Sequence, residues 1–285
     1  MITRKFFRKL VLFLLTLPVL LFIFSPILWL FDASLSTQVE LYAIPPHWIP
    51  QHPTFKNYVE IIFPSLAASS VPRTYAVSLL NSFKISSAVT FICILLGSLA
   101  AYALVRIPFR FNRAIQIGIL GTRMIPEVSL IIPLFIIASS LDLINKPIVL
   151  IIAYMSFALP YAIWMMIAFF QTVPVELEEA ARLDGCTRLG ILWRVVMPIS
   201  VPGLISTAMF IFLVAWDEFF YALIFTSTLA AKTVPVAIAE FIGRYAVNIN
   251  GMMAGGILAA LPPVILGLIF QRYIVSGMTA GAVKG

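Results

Sequence analysis

Charge is the scarcest commodity in this sequence. Of 285 residues only 11% are Asp, Glu, Lys or Arg, against about 25% in ordinary soluble domains. With 61% of residues hydrophobic, too little polar surface remains to coat a water-soluble fold, and the excess must face lipid. Cysteine is equally sparse. Cys93 lies in an apolar run and Cys186 in a polar stretch, without a Cys-x-x-Cys pair, which excludes a disulfide framework and leaves two free thiols. The two histidines, His47 and His52, have no further ligands at metal-site spacing and read as loop residues. There is no Gly-x-x-x-x-Gly-Lys-Ser/Thr phosphate loop, no His-Glu-x-x-His string, no Ser-His arrangement and no pair of aspartates on two apolar runs.

What is abundant is apolar length. Runs of about 20 residues, enough to cross ~30 Å of hydrocarbon, occur near 10–31, 82–104, 114–137, 147–169, 203–225 and 257–275. This predicts an all-α membrane protein with six transmembrane helices. The first run follows Arg4, Lys5, Arg8 and Lys9, as a signal peptide would, but its length and the lack of a small-residue cleavage site before Asp32 predict a retained span. The net charge of +7 comes from 19 Lys and Arg scattered between the runs rather than from a basic patch, which argues against a nucleic-acid partner. Placing both termini in the cytoplasm puts twelve of the 19 inside and five outside (Lys56, Arg73, Lys146, Lys232, Arg244), so the positive-inside bias predicts an N-in, C-in topology. The chain then divides into a tail (1–9), the first span (10–31), an outer Pro-rich segment (32–75), a core (76–275) and a second tail (276–285).

Ionisable residues inside spans are costly, by about 2.5–3.5 kcal/mol near the bilayer centre, and read as functional. Arg123 and Glu127, spaced i, i+4 on the third run, can share a helix face and pair. Asp217 and Glu218 are adjacent on the fifth, about 100° apart around a helix, so one would face a pathway and the other a neighbour. Trp216 beside them and Tyr161, near a kink expected at Pro160, offer aromatic faces. The competing reading is a structural ion pair with packing or interfacial aromatics. Gly251, Gly255 and Gly256 precede the last run and read as helix contacts, while Pro262-Pro263 should kink it.

One inside loop, 173–198, is long and polar. Pro174 suits a helix start, and Glu176, Glu178 and Glu179 oppose the positive end of its dipole. Asp184-Gly185 supplies a left-handed stop, and Thr187 can cap a second helix to about Met197, ended by Pro198 and Pro202. The result is a helical hairpin with Leu177, Ala180 and Ala181 as a small apolar surface. A knob for a partner's groove and a plain interfacial connector use the same amphipathic spacing.

The string Glu179-Ala180-Ala181, Asp184-Gly185 and Met197-Pro198 resembles the EAA motif of membrane subunits of ATP-binding-cassette importers. The longer Glu-Ala-Ala-Arg-Leu-Asp-Gly-Cys-Thr is similar to the carbohydrate branch, which usually has Ala where Cys186 stands. Leu159-Pro160, Trp216-Asp217-Glu218-Phe219 and Gln271-Arg272-Tyr273-Ile274-Val275 extend the resemblance from about residue 75 onward, toward permeases of the maltose-system G type. It implies a type I importer transmembrane domain whose coupling helices, with Glu179, Ala180, Ala181, Asp184, Gly185 and Pro198, seat in a cytoplasmic ATPase. It also implies a second permease subunit, an ATPase dimer that carries ATP and Mg, an external sugar-binding protein and a prokaryotic cell membrane, with no cofactor on this chain. The segment 226–256 is similar to the place where family members contact the binding protein, which makes Gly243, Arg244, Asn248 and Asn250 candidates. A self-sufficient secondary transporter of a polar solute is the alternative. It would need no loop like 173–198.

Overall fold

The computed structural model describes residues 2–45, 47–66, 70–242 and 248–282. Every regular element among them is helical. In chain order the α-helices are α1 (Ile2–Leu35), α2 (Gln38–Leu41), α3 (Lys56–Ile62), α4 (Ser70–Arg106), α5 (Asn112–Thr122), α6 (Ile131–Ser140), α7 (Pro147–Phe170), α8 (Val175–Leu183), α9 (Arg188–Ile191), α10 (Met197–Ile199), α11 (Val201–Trp216), α12 (Phe220–Phe225), α13 (Val234–Ala239) and α14 (Ile249–Ala282), with 3-10 turns at Pro64–Leu66 and Glu127–Leu130 and a π-helical turn at Leu192–Val196. α1, α4, α7 and α14 are long and apolar enough to cross a membrane. Two bent pairs bring the number to six if each is one span: α5 with the stretch 127–140, bent by 91°, and the run 188–199 with α11, bent by 84°.

Three expected spans differ from this. The run 114–137 is not one helix, because the chain breaks after Thr122, where Pro126 is extended and lacks a donor for the preceding turn. The run 203–225 stops at Trp216 and restarts at Phe220. The last span begins at Ile249, so Gly251, Gly255 and Gly256 lie within it rather than before it, and Pro262, Pro263 and Pro160 sit in uninterrupted helices.

The chain forms two compact units. In the first, residues 1–76 and 237–261, the end of α1 is pinned by side chains. A helix leaves its last carbonyls without intrahelical partners. Here the Asn250 amide donates to Ala33 O (2.9 Å) and Ser36 O (2.8 Å), and the Asn57 amide donates to Ser34 O (3.0 Å). Thr37 and Glu40 form a capping box that starts α2. The second Glu40 oxygen accepts from His52 N at 2.8 Å, and the Thr37 and His52 N–H groups hold this carboxyl below the usual range. Tyr75 donates to Gly255 O, and its ring stands 3.1 Å from where a Gly255 Cβ would be.

In the second unit, residues 77–236 and 262–285, α7 is the central post and is apolar on all sides. One cluster packs Ile85, Val89 and Cys93 of α4 and Ile211 and Ala215 of α11 around Leu150, Tyr154 and Phe157. A second gathers Ala101, Tyr102 and Leu104 with Met166, Ile167, Phe170, Ala181, Ile191 and Leu192 near the hairpin. Small residues let the backbones approach. A Cβ on Gly97 would stand 2.9 Å from the Ala162 Cβ with backbone behind it, whereas one on Gly118 would meet nothing within 4 Å. Gly97→Leu should therefore lower the melting temperature of the detergent-purified protein by several degrees, and Gly118→Ala should leave it unchanged or raise it, since alanine favours the helix interior. Equal melting of the two variants would refute the close α4–α7 contact.

Candidate functional site

The hairpin 173–198 follows from local chemistry. α8 begins directly after Pro174, with Glu176 and Glu178 in its first turn. It ends in a Schellman motif in which Cys186 N donates to Ala181 O and Gly185 N to Arg182 O, both at 3.0 Å. Gly185 has φ +82°, a left-handed conformation that only glycine adopts without strain. Cys186 fits half-buried against the second cluster. Thr187 then caps α9, its hydroxyl accepting from Gly190 N at 3.2 Å. The expected second helix is present as one helical run, 188–199, in which α9 passes through a π-helical turn over Leu192–Val196 into α10. Pro198 lies inside α10, and the chain turns at Ser200.

The acidic face of α8 divides between two roles that the sequence pattern did not separate. Glu179, Ala180, Leu183, Asp184, Gly185, Leu189 and Pro198 are exposed, Leu183 to 90%. Ala181 is buried in the second cluster rather than part of the exposed apolar surface. Glu178, only 3% exposed, turns inward. Its Oε1 accepts from Arg106 Nε at 2.6 Å and its Oε2 from the Tyr102 hydroxyl at 3.2 Å. The same guanidinium donates to Phe170 O (3.0 Å) and Val173 O (2.7 Å). The cation therefore sits at the C-terminal ends of α4 and α7 and the carboxylate in the first turn of α8, where all three helix dipoles favour them. Nothing local marks this pair. The only sequence signal is that Arg106 ends an apolar run and Glu178 falls in the first turn of a helix.

The two bent pairs carry the other ionisable candidates. Arg123 closes α5 while Glu127 opens a 3-10 turn beyond the break, so the two do not share a helix face as their spacing predicted. Arg123 stacks instead on the ring of Tyr161, with Nη1 buried and without a hydrogen-bond partner, and the exposed Glu127 acts on it through space. Tyr161 in turn meets Phe210 edge to face at 5.0 Å. Asp217 and Glu218 are likewise not on a helix. Asp217 is the exposed C-cap of α11, and Glu218 caps α12, accepting from Tyr221 N (2.8 Å) and Ala222 N (3.1 Å). Trp216 is buried and stacked on Phe212. The two breaks meet, because the Tyr221 hydroxyl donates to Glu127 O at 2.9 Å.

Of the remaining candidates, Gly243 and Arg244 lie outside the described residues. Asn250 is buried, with its amide committed to the end of α1, which leaves it no exposed face to offer a partner. Asn248 is exposed. It caps α14 through Gly251 N (2.9 Å) and lines a polar cleft of about 280 Å³ with Gln38, Lys56 and Glu60. Among the described residues no cluster of His, Cys, Asp or Glu could hold a metal ion.

Comparison with known proteins gives the following. A family model described as binding-protein-dependent transport system inner membrane component matches residues 93–280. The sulfoquinovosyl glycerol transport system permease protein SmoH of Agrobacterium fabrum is 38% identical over 260 residues, which cover 91% of this chain and 88% of that relative. The trehalose/maltose transport system permease protein MalG of Thermococcus litoralis is 36% identical over 91% of each chain. Among solved structures, a chain of a bacterial ABC transporter involved in the import of the acidic polysaccharide alginate superposes with a TM-score of 0.77 over 95% of this chain and 97% of that one. At 20% identity, this likeness is one of fold.

The two neighbouring carboxylates at the second break should behave differently on substitution. Glu218→Ala uncaps α12 and leaves two N–H groups unpaired, costing about 1 kcal/mol or more, and should lower the melting temperature in detergent. Asp217→Asn should leave it unchanged. A larger loss from Asp217→Asn would contradict these assignments.

Proposed function

The chain belongs to the family of binding-protein-dependent transport system inner membrane components, and from that premise we propose that it is one of two permease subunits of an ATP-driven sugar importer. The hairpin carries this reading: an exposed face at Glu179, Leu183 and Leu189 is mounted on a buried one that is bonded to the transmembrane helices. Such a knob fits a groove in a cytoplasmic ATPase dimer, which would hold ATP and Mg and perform the hydrolysis, with no cofactor bound by this chain. A self-sufficient secondary transporter has no use for it. Sugars or glycosides are the proposed cargo because both curated relatives above carry such compounds in their names.

Six spans with both termini in the cytoplasm are the proposed topology. The four long helices and two bent pairs supply the count, and the bias of Lys and Arg, twelve to five, supplies the direction. On that topology α5 climbs about 16 Å from the cytoplasmic side before it breaks, which places Arg123 near mid-bilayer. Exposed charge at that depth cannot face lipid. The face bearing Arg123, Tyr161, Glu127 and Asp217 is therefore proposed as pathway wall, formed where two discontinuous spans meet. Glu218 and Trp216 hold that wall in place from behind. The polar cleft at Asn248 is the proposed contact for the external binding protein.

Transport would follow by alternating access. Closure of the ATPase dimer on nucleotide would draw the hairpins of the two permeases together and rock the helices around the pathway. Two hairpin variants test the docking. Gly185→Pro is incompatible with the left-handed stop, and Glu179→Lys reverses an exposed charge. Both should leave the protein in the membrane, lose the co-purifying ATPase and abolish sugar uptake. Retention of the ATPase with normal uptake in both would refute the reading.

A further inference from the structure

We infer that Arg106 and Glu178 form the strut through which movement of the hairpin reaches the transmembrane helices, making both positioning residues for coupling. The inference rests on the reading of the hairpin as the ATPase-docking element. Its argument starts from what else joins the hairpin to the bundle. Ala181, Ile191, Leu192 and Val196 press on α4 and α7 only through apolar contact. Such contact is non-directional and allows one surface to slide over another. The guanidinium is different. It fixes three elements at once in one register, through Glu178 Oε1 on α8, Phe170 O at the end of α7 and Val173 O at the entrance to the hairpin, while itself ending α4.

The remaining valences are also occupied. Tyr102, one turn back on α4, holds the second Glu178 oxygen, so the carboxylate cannot rotate away without breaking a bond to the same helix. Asn112, at the start of α5, donates to Leu104 O at 2.7 Å and carries the fixation one element further. A displacement of α8 is thereby passed to α4 and α7 as a rigid shift rather than absorbed in the loop. Burial matters to this role. At 3% exposure Glu178 has little water to substitute for a lost partner. Buried pairs add little net stability over well-packed apolar replacements but can enforce geometry. That difference separates a strut from a merely structural bond.

The test uses the complete complex of both permeases, ATPase and sugar-loaded binding protein in proteoliposomes, measuring sugar uptake per ATP hydrolysed. The variants are Arg106→Lys, which keeps charge but loses the fork, Glu178→Gln, and the apolar double variant Arg106→Met with Glu178→Leu. Every variant that assembles should keep its ATPase bound while uptake per ATP falls about tenfold and hydrolysis loses its response to the binding protein. An assembled variant with normal uptake per ATP overturns the strut. If the single variants do not assemble, the double variant decides: assembled but uncoupled supports the strut, assembled and coupled overturns it. If none of the three assembles, the pair is a folding requirement and the inference also fails. Absence of any ATPase from the wild-type complex would overturn the docking reading and the strut together, whereas coupled variants would remove the strut alone.

Discussion

Arg106 stands where three helices end. The chain can bury a guanidinium there because its inward donors find oxygens: a carboxylate on α8, the Phe170 carbonyl at the end of α7 and the Val173 carbonyl at the entrance to the hairpin. Around this point the second apolar cluster closes over Tyr102, Phe170, Ala181 and Leu192. The hairpin consequently projects from the bundle with one face fixed and the other free.

A second constraint acts along the spans. Lipid offers backbone no hydrogen bonds, so a helix interrupted at membrane depth must satisfy its free groups from within the protein. Each of the two bends supplies part of this from side chains. Glu218 receives the first N–H groups of α12, and the Tyr221 hydroxyl occupies Glu127 O beside the other break. At the same breaks Arg123 stacks on Tyr161, while Glu127 and Asp217 are exposed.

Much of this was legible in the residues. Pro174, Gly185 and Thr187 act on their own neighbours within four positions, and the helix start, left-handed stop and cap appear where their chemistry places them. The long spans α1, α4, α7 and α14 follow from apolar length. The readings that changed were those that needed continuity or a distant partner. The i, i+4 spacing of Arg123 and Glu127 implies a shared face only on an unbroken helix, and the chain breaks between them. Asn250 had the look of a polar surface residue until the end of α1, more than 200 positions earlier in the chain, was found on its amide. Trp216 and Glu218 have the chemistry of a sugar path, and the partners that the fold gives them are the Phe212 ring and the first N–H groups of α12.

The sequence alone determined that this protein lives in lipid, that it holds several helices long enough to cross it, and that a capped helical hairpin interrupts them, because composition and short-range backbone chemistry require no partner. Tertiary structure alone decided which of two adjacent glutamates is buried. Glu178 and Glu179 have the same side chain in the same helix turn, and they differ only in that one faces Arg106, 72 positions away, and the other faces outward. Burial of a charge depends on whether a counter-charge and a set of oxygens converge on it from elsewhere in the chain, and that convergence exists only once α4, α7 and α8 have packed.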